Sequence, residues 1–238
     1  MQAIKVLLWN VQWQRAGTPG GAAIREIIAA HDPDLICLTE ANTDLVGADN
    51  QIASAADFGG PTKEGRRKVV LWSRWPWQDV DNLGDPSLPP GRFVRGHTMA
   101  PGGTVDVIGV CVPWDGAHVR MGRRDSQPWQ EHSRYLDGLK DILARSGDHA
   151  RTIILGDFNQ AIPRTRAPHA IHEQLMDVLR PSFQVATAGT IDGLSFPAID
   201  HLAFGAAFRV ELVQPLPNEG AGGQRISDHT GLLITLSD

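Results

Sequence analysis

Ile154-Leu155-Gly156-Asp157-Phe158-Asn159 decides how the rest of the chain is read. An apolar run closed by glycine and then by polar residues marks a buried strand entering a loop. Loops at strand ends are where a rigid scaffold presents binding and catalytic groups. Alternation along an extended chain points Asp157 and Asn159 the same way, setting an anionic oxygen beside a neutral amide. Four further polar positions stand at the ends of apolar runs. Lys5-Val6-Leu7-Leu8-Trp9-Asn10 closes on an amide. Asp34-Leu35-Ile36-Cys37-Leu38-Thr39-Glu40, entered by His31-Asp32-Pro33, closes on a carboxylate. Ile199-Asp200-His201-Leu202-Ala203-Phe204 opens with an Asp, and Ile226-Ser227-Asp228-His229 precedes a last strand from Thr230 to Leu236.

Between these strands the pattern alternates. Ile24, Ile27 and Ile28 recur at helical spacing between Gly20 and His31, and Asp32-Pro33 stops that helix. Trp129, His132, Leu136, Leu139 and Leu143 make an amphipathic helix, and Ile171, Leu175, Val178 and Leu179 mark another. Val69 to Ser73 and Thr104 to Val112 read as strands. Trp75 to Pro101, rich in Pro and Gly, reads as loop with a short strand near Phe93. Internal repeats, heptads and low-complexity segments are absent.

Taken in order, Asn10, Glu40, Gly156-Asp157-Phe158-Asn159, Asp200 and Ser227-Asp228-His229 resemble the endonuclease/exonuclease/phosphatase superfamily, which includes DNase I-like nucleases, abasic-site endonucleases, sphingomyelinases and inositol phosphatases. The likeness runs from Lys5 to the C-terminus. It implies one α/β domain over residues 1–238, a four-layer α-β-β-α sandwich of two mixed sheets flanked by helices. It also implies a Mg²⁺- or Mn²⁺-dependent phosphoester hydrolase, since oxygen-rich sites of carboxylates and amides suit those ions.

Carried over residue by residue, Glu40 matches the principal metal-binding carboxylate, and Asn10 and Asp228 match residues that contact metal directly or through water. Asp157 and Asn159 match the pair that orients the attacking water and holds the phosphate. His229 matches the histidine facing the scissile phosphate, and Asp200 the acid that hydrogen-bonds its imidazole. An Asp behind a His fixes the tautomer and stabilises the charged ring. His229-Asp200 is the expected acid-base pair, with Asp157 the other contender for the proton of water. Each residue has a plainer reading: Asn10 capping a turn, Glu40 as an exposed charge, Asp157 and Asn159 in Asx turns, His229 as a core histidine.

The chain departs from the family pattern where a Tyr or His often helps the leaving oxygen. Cys111 stands there, followed by Trp114 and Asp115, so His118 or a metal-bound water is the substitute candidate. Abasic-site endonucleases tend to carry a Trp-rich segment before the Asp matching Asp200; Leu194-Ser195-Phe196-Pro197-Ala198-Ile199 stands there instead. Trp114, His118, Arg120 and Arg124 are the candidate substrate contacts. Lys63, Arg66, Arg67 and Lys68 form a second basic segment, with a solvated face as the plainer reading. Trp75-Pro76-Trp77 reads equally as stacking surface or as rim packing. His169 and His172 lack the partners a zinc site needs.

The formal net charge of −5 over 238 residues argues mildly against a tight nucleic-acid binder. No apolar run approaches the roughly 18 residues of a membrane helix, and the first strand begins too early for a signal peptide. A cytoplasmic, reduced chain is expected, with Cys37 and Cys111 as core thiols and no obligate protein partner. Three functions follow: a nuclease acting on DNA or RNA, the same chemistry on a small or lipid-derived phosphoester, and a non-catalytic module that kept the fold.

Overall fold

Strand β1 (Ala3–Asn10) sends Ile4, Val6 and Leu8 to one face and Leu7 and Trp9 to the other, and all five are buried. A continuous apolar run is what a strand buried on both faces requires. The computed structural model describes residues 3–220 and 222–238. In it the first face meets a second sheet and the other meets helix α1 (Pro19–His31). Thr18 caps α1 by accepting from the Gly21 amide at 3.0 Å, and Asp32 ends it in the left-handed region with Pro33 following.

The first sheet holds six strands in the order β11 (Arg209–Pro215), β12 (Leu232–Ser237), β1, β2 (Leu35–Asn42), β4 (Arg66–Ser73) and β3 (Gln51–Ala53). The second runs β5 (Trp77–Asp81), β6 (Phe93–Ala100), β7 (Gly103–Cys111), β8 (Thr152–Asp157), β10 (Asp200–Phe204) and β9 (Gln184–Val185). Each sheet has one parallel pair, β1 with β2 and β7 with β8, bridged by α1 and by α2 (Gln130–Arg145) respectively. The other pairings are antiparallel.

One core fills the space between the sheets, from Val6, Leu8, Cys37, Val69, Leu71 and Ile234 on one side to Val107, Leu155 and Leu202 on the other. The outer face of the second sheet, Ile108, Val110 and Ile154, is covered by Tyr135, Leu136 and Leu139 of α2 and by Leu175 and Leu179 of α3 (His169–Leu179). The α-β-β-α layering is therefore present. Both cysteines are free, buried thiols. Among the described residues no helix is long and apolar enough to cross a membrane.

One expectation needs correction. The Trp75 to Pro101 segment is a hairpin of β5 and an eight-residue β6, with Trp77 opposite Thr98. One of its three glycines is a packing residue: a Cβ at Gly96 would lie 2.9 Å from the Trp77 ring and 3.0 Å from Ile52. Trp75 and Trp77 pack on the inter-sheet core, and the Trp77 indole N–H donates to Asn50 O at 2.8 Å, as rim packing predicts.

Candidate active site

Strand directions bring the polar termini to one end of the sandwich. The C-terminal ends of β1, β2, β7 and β8 lie beside the N-terminal ends of the antiparallel β4, β6, β10 and β12. Asn10 ends β1, Asp157 ends β8, and Asp200 begins β10 directly opposite Asp157. The two sheets join there through Asn10, whose Nδ2 donates to Asp157 Oδ2 at 3.0 Å. Asn10 Oδ1 accepts from the Gln12 amide at 3.1 Å, which fixes the amide's orientation and leaves the oxygen a second lone pair.

The loop after β8 is locked by its own polar atoms. Asp157 Oδ1 accepts from the Asn159 amide at 2.9 Å, and Asn159 Nδ2 donates to Val112 O at 2.9 Å. Asn159 has φ 52°, a left-handed conformation that asparagine tolerates well. So an Asx turn and a place in the cleft coexist. Gly156 is required just before it, at φ 143°, because a Cβ would fall 1.8 Å from Val110 O.

The loop before β12 is pinned as firmly. His229 O accepts from the Trp9 indole at 3.0 Å and from Asn218 Nδ2 at 2.9 Å. Ser227 Oγ donates to Asn10 O at 2.6 Å, a structural task. Gly231 leaves room for Trp9, whose ring a Cβ would approach to 2.6 Å. The result sets His229 Nδ1 2.5 Å from Asp200 Oδ2. Asp200 is buried, and its Oδ1 has no hydrogen-bond partner among the described residues.

These contacts set the charges. Burial, followed by the neighbouring Asp200, pushes the Asp157 carboxyl up to about 7, with His229 opposing. For His229 burial disfavours the charged ring, yet Asp200, Asp157 and Asp228 together outweigh it and lift the imidazole to about 10. Near neutral pH the ring is therefore an imidazolium, while the Asp157 carboxyl is held far above the usual carboxylate range.

Glu40 breaks the regularity of β2 with φ 46°, a conformation that costs a non-glycine residue of order 1 kcal/mol. Lys68 Nζ holds one of its oxygens at 2.6 Å. Asn10, Glu40, Asp157, Asn159, Asp228 and His229 all line one cleft of about 480 Å³, as do Trp114 and His118. Neither Arg120 nor Arg124 lines it: both are exposed, and Arg120 stands 5.9 Å over the Trp114 ring.

The cleft also contains groups that strand-end logic does not reach. Lys63, Arg66 and Lys68 line it, so the basic segment whose plainer reading was a solvated face contributes to this wall. Arg66 and Lys68 lie 4.9 and 5.0 Å from the Trp13 ring, which stacks on Phe58. Arg92 and Cys111 also line it. Burial pushes the Cys111 thiol up to about 12, so it stays a neutral, protonated thiol near neutrality and is no base.

The donor set fits a hard divalent cation. Asn10, Glu40, Asp157 and Asp228 bring side-chain oxygens to the same cleft. Ligand atoms of Asp157, Asp200 and His229 also lie within 4.8 Å of one another. That second trio is largely engaged internally, through the His229–Asp200 bond and the two acceptances of Asp157. Glu40 and Asp228 are the more open carboxylates.

The family model of the Endonuclease/Exonuclease/phosphatase family matches residues 7–229. The chain belongs to that family. Its coarse activity is accordingly phosphoester hydrolysis. Solved structures similar to it include an endonuclease/exonuclease/phosphatase from Beutenbergia cavernae, 18% identical, with TM-score 0.67 over 99% of this chain and 72% of that one. The endonuclease domain of TRAS1, a telomere-specific non-LTR retrotransposon, is 16% identical, with TM-score 0.67 over 98% of each chain. The 3′ phosphatase NExo from Neisseria, bound to a product DNA hairpin, is 19% identical, with TM-score 0.66 over 97% of this chain and 98% of that one. At these identities the likeness establishes a shared DNase I-like fold. No curated protein matches the chain.

Proposed function

We propose that the cleft is the active site of a divalent-metal-dependent phosphodiester hydrolase whose substrate is a nucleic acid. The observation that carries this reading is the pair of hydrogen bonds Asn10–Asp157 and Asp200–His229, meeting in a cleft that also holds Lys63, Arg66, Lys68 and Arg92. A phosphodiester needs its charge neutralised and its attacking water deprotonated. Asp157, poised near neutrality, takes the proton from water while Asn159 beside it positions the oxygen. His229, held charged by Asp200, neutralises the phosphoryl oxygens and can return a proton to the departing oxygen. This order favours Asp157 over His229 as base. Glu40, with Asn10 and Asp228, would hold Mg²⁺ or Mn²⁺, which supplies Lewis-acid neutralisation when bound. Trp114, His118 and Arg120 stand where substrate flanking the phosphate can meet them.

Two of the similar folds are named for action on, or binding to, nucleic acid, and the basic wall suits a polyanion. The net charge of −5 supports a second reading, hydrolysis of a small phosphoester. The test is supercoiled plasmid, intact and depurinated, incubated with Mg²⁺ or Mn²⁺ beside Asp157→Asn. Nicking lost in the variant is the expected outcome, and preference for depurinated plasmid would indicate repair of abasic sites. If neither plasmid is nicked while small phosphoesters are hydrolysed, the second reading replaces the first.

A further inference from the structure

Val11-Gln12-Trp13-Gln14 leaves β1 in a turn that its residue types do not favour. The Gln14 amide donates to Val11 O at 3.0 Å across two central residues that both have positive φ, 47° at Gln12 and 64° at Trp13. Glycine, asparagine and aspartate usually fill such positions, because a larger side chain sets its Cβ against its own carbonyl oxygen there. A strained turn of this kind persists only where its surroundings over-determine it. Here they do. The Gln12 amide donates to Asn10 Oδ1 at 3.1 Å, the Trp13 amide to Glu40 O, and the Val11 amide to Thr39 O at 2.9 Å. The turn is therefore clamped onto Asn10 and Glu40, and what the strain achieves is the placement of an indole.

The Trp13 ring stacks on Phe58, with centroids 5.7 Å apart and planes 27° from parallel. Phe58 comes from a separate loop that is itself held. The Gly59 amide donates to Asp57 Oδ1 at 2.9 Å, and Gly91 leaves room for Asp57 O, which a Cβ would approach to 2.2 Å. Arg66 adds a third plane, its Cζ 4.9 Å from the centre of the Trp13 ring. The Lys68 ammonium lies 5.0 Å from the same ring and 2.6 Å from Glu40 Oε1, so the stack stands one side chain away from that carboxylate. Trp13, Phe58 and Arg66 all line the active cleft, and all keep part of their surface open. Among the described residues neither ring packs into the hydrophobic cores, so core packing does not account for them.

Two rings and a guanidinium plane beside a phosphoester site suit a flat partner. Every nucleobase has such a face, whereas a bare sugar or an acyl chain has none. We propose that Trp13, with Phe58 and Arg66, determines the substrate class of this site by stacking an unpaired nucleobase next to the scissile phosphate. A single strand or a strand end presents such a base, and a base inside a duplex hides both its faces. The inference rests on the phosphoesterase reading of this cleft and narrows it, but its first test does not require turnover.

Adenosine 5′-monophosphate and ribose 5-phosphate carry the same phosphate and sugar and differ in the base. Each is titrated without divalent metal, at millimolar concentrations, into isotope-labelled wild type, Trp13→Phe and Trp13→Gly, and the indole N–H signals are followed by NMR. The Trp13 signal is the one missing from Trp13→Phe. Glycine suits the positive φ at residue 13, so Trp13→Gly removes the ring without straining the turn. The mononucleotide should move the Trp13 signal and bind the wild type about 10-fold or more tightly than ribose 5-phosphate. That preference should be kept in Trp13→Phe and lost in Trp13→Gly. An equal preference in folded Trp13→Gly overturns the proposal. So does a Trp13 signal that the mononucleotide leaves in place, a readout that stands even where Trp13→Gly does not fold. A short single-stranded oligodeoxyadenylate should bind more tightly than the mononucleotide; equal affinity overturns the strand as occupant in favour of a free nucleotide. Turnover then separates the two claims. A base preference carried by Trp13 without any metal-dependent hydrolysis keeps the stacking site and removes the function. Hydrolysis abolished by Asp157→Asn in a protein with no base preference does the reverse.

Discussion

At the scale of single residues, Asp157 and His229 are pushed in the same direction for different reasons, and that shapes the pH dependence. Asp157 must be ionised to accept a proton, so kcat/KM should rise with pH through about 7 and fall about tenfold per unit below it. His229 must stay protonated to neutralise phosphate, so activity should be lost as pH passes about 10. A pH–rate profile of kcat/KM checks both limbs, and Asp157→Asn should lower kcat by about 10²–10⁴-fold while removing the acid limb. Two other histidines set the acid stability. His132 bonds Pro113 O and Gln160, and His201 bonds Gln160 O and Thr187, with both rings fully buried. Burial holds each down at about 4. Above pH 6.5 both states are neutral and nothing is lost; between about 6.5 and 4 the unfolded chain protonates first, so each costs up to about 3 kcal/mol of stability. Urea unfolding at pH 7.5 and 4.5 should show the loss, with a shallower dependence in His132→Phe and an unchanged one counting against the account. Asn10, Asp157, Asp200 and His229 were legible because a polar residue at the end of an apolar strand stands out. Arg92 was not, since a lone arginine beside Pro and Gly carries no sign of being buried in a cleft.

At the scale of elements, doubly buried strands announced themselves and edge strands did not. β1, β2, β7 and β8 are continuous apolar runs because both their faces are covered. β5 and β11 lie at sheet edges with mostly exposed residues, so Trp77-Gln78-Asp79-Val80-Asp81 and Arg209 to Pro215 show no apolar run to recognise. Their pairing is imposed by the neighbours β6 and β12. The sheets approach closely at Gly109 of β7, where a Cβ would lie 2.7 Å from Val69 and 3.0 Å from Leu71 of β4. Gly109→Ala should therefore destabilise the fold by about 1–3 kcal/mol through overpacking. Denaturant titration measures this, and a neutral result would mean the inter-sheet core has slack that the side-chain positions do not show.

At the scale of the whole molecule, a net charge of −5 coexists with a cleft carrying Lys63, Arg66, Lys68 and Arg92. Overall charge was a poor guide because it sums surfaces that the substrate never meets, whereas binding responds to the charges lining the groove. If a duplex engages all four cations, the logarithm of its binding constant should fall with the logarithm of salt with a slope of about −3 to −4. A slope near −1 would point to a single phosphate contact and to a small phosphoester. The central claim, that this end of the sandwich hydrolyses phosphodiesters through Asp157, is independent of which substrate is natural. Its most direct test is hydrolysis of bis(p-nitrophenyl) phosphate with Mn²⁺ or Mg²⁺ by the wild type and by folded Asp157→Asn, with a chelator control. Release of p-nitrophenol that the chelator stops and the variant loses is the predicted result. Equal rates from the wild type and Asp157→Asn would contradict the account.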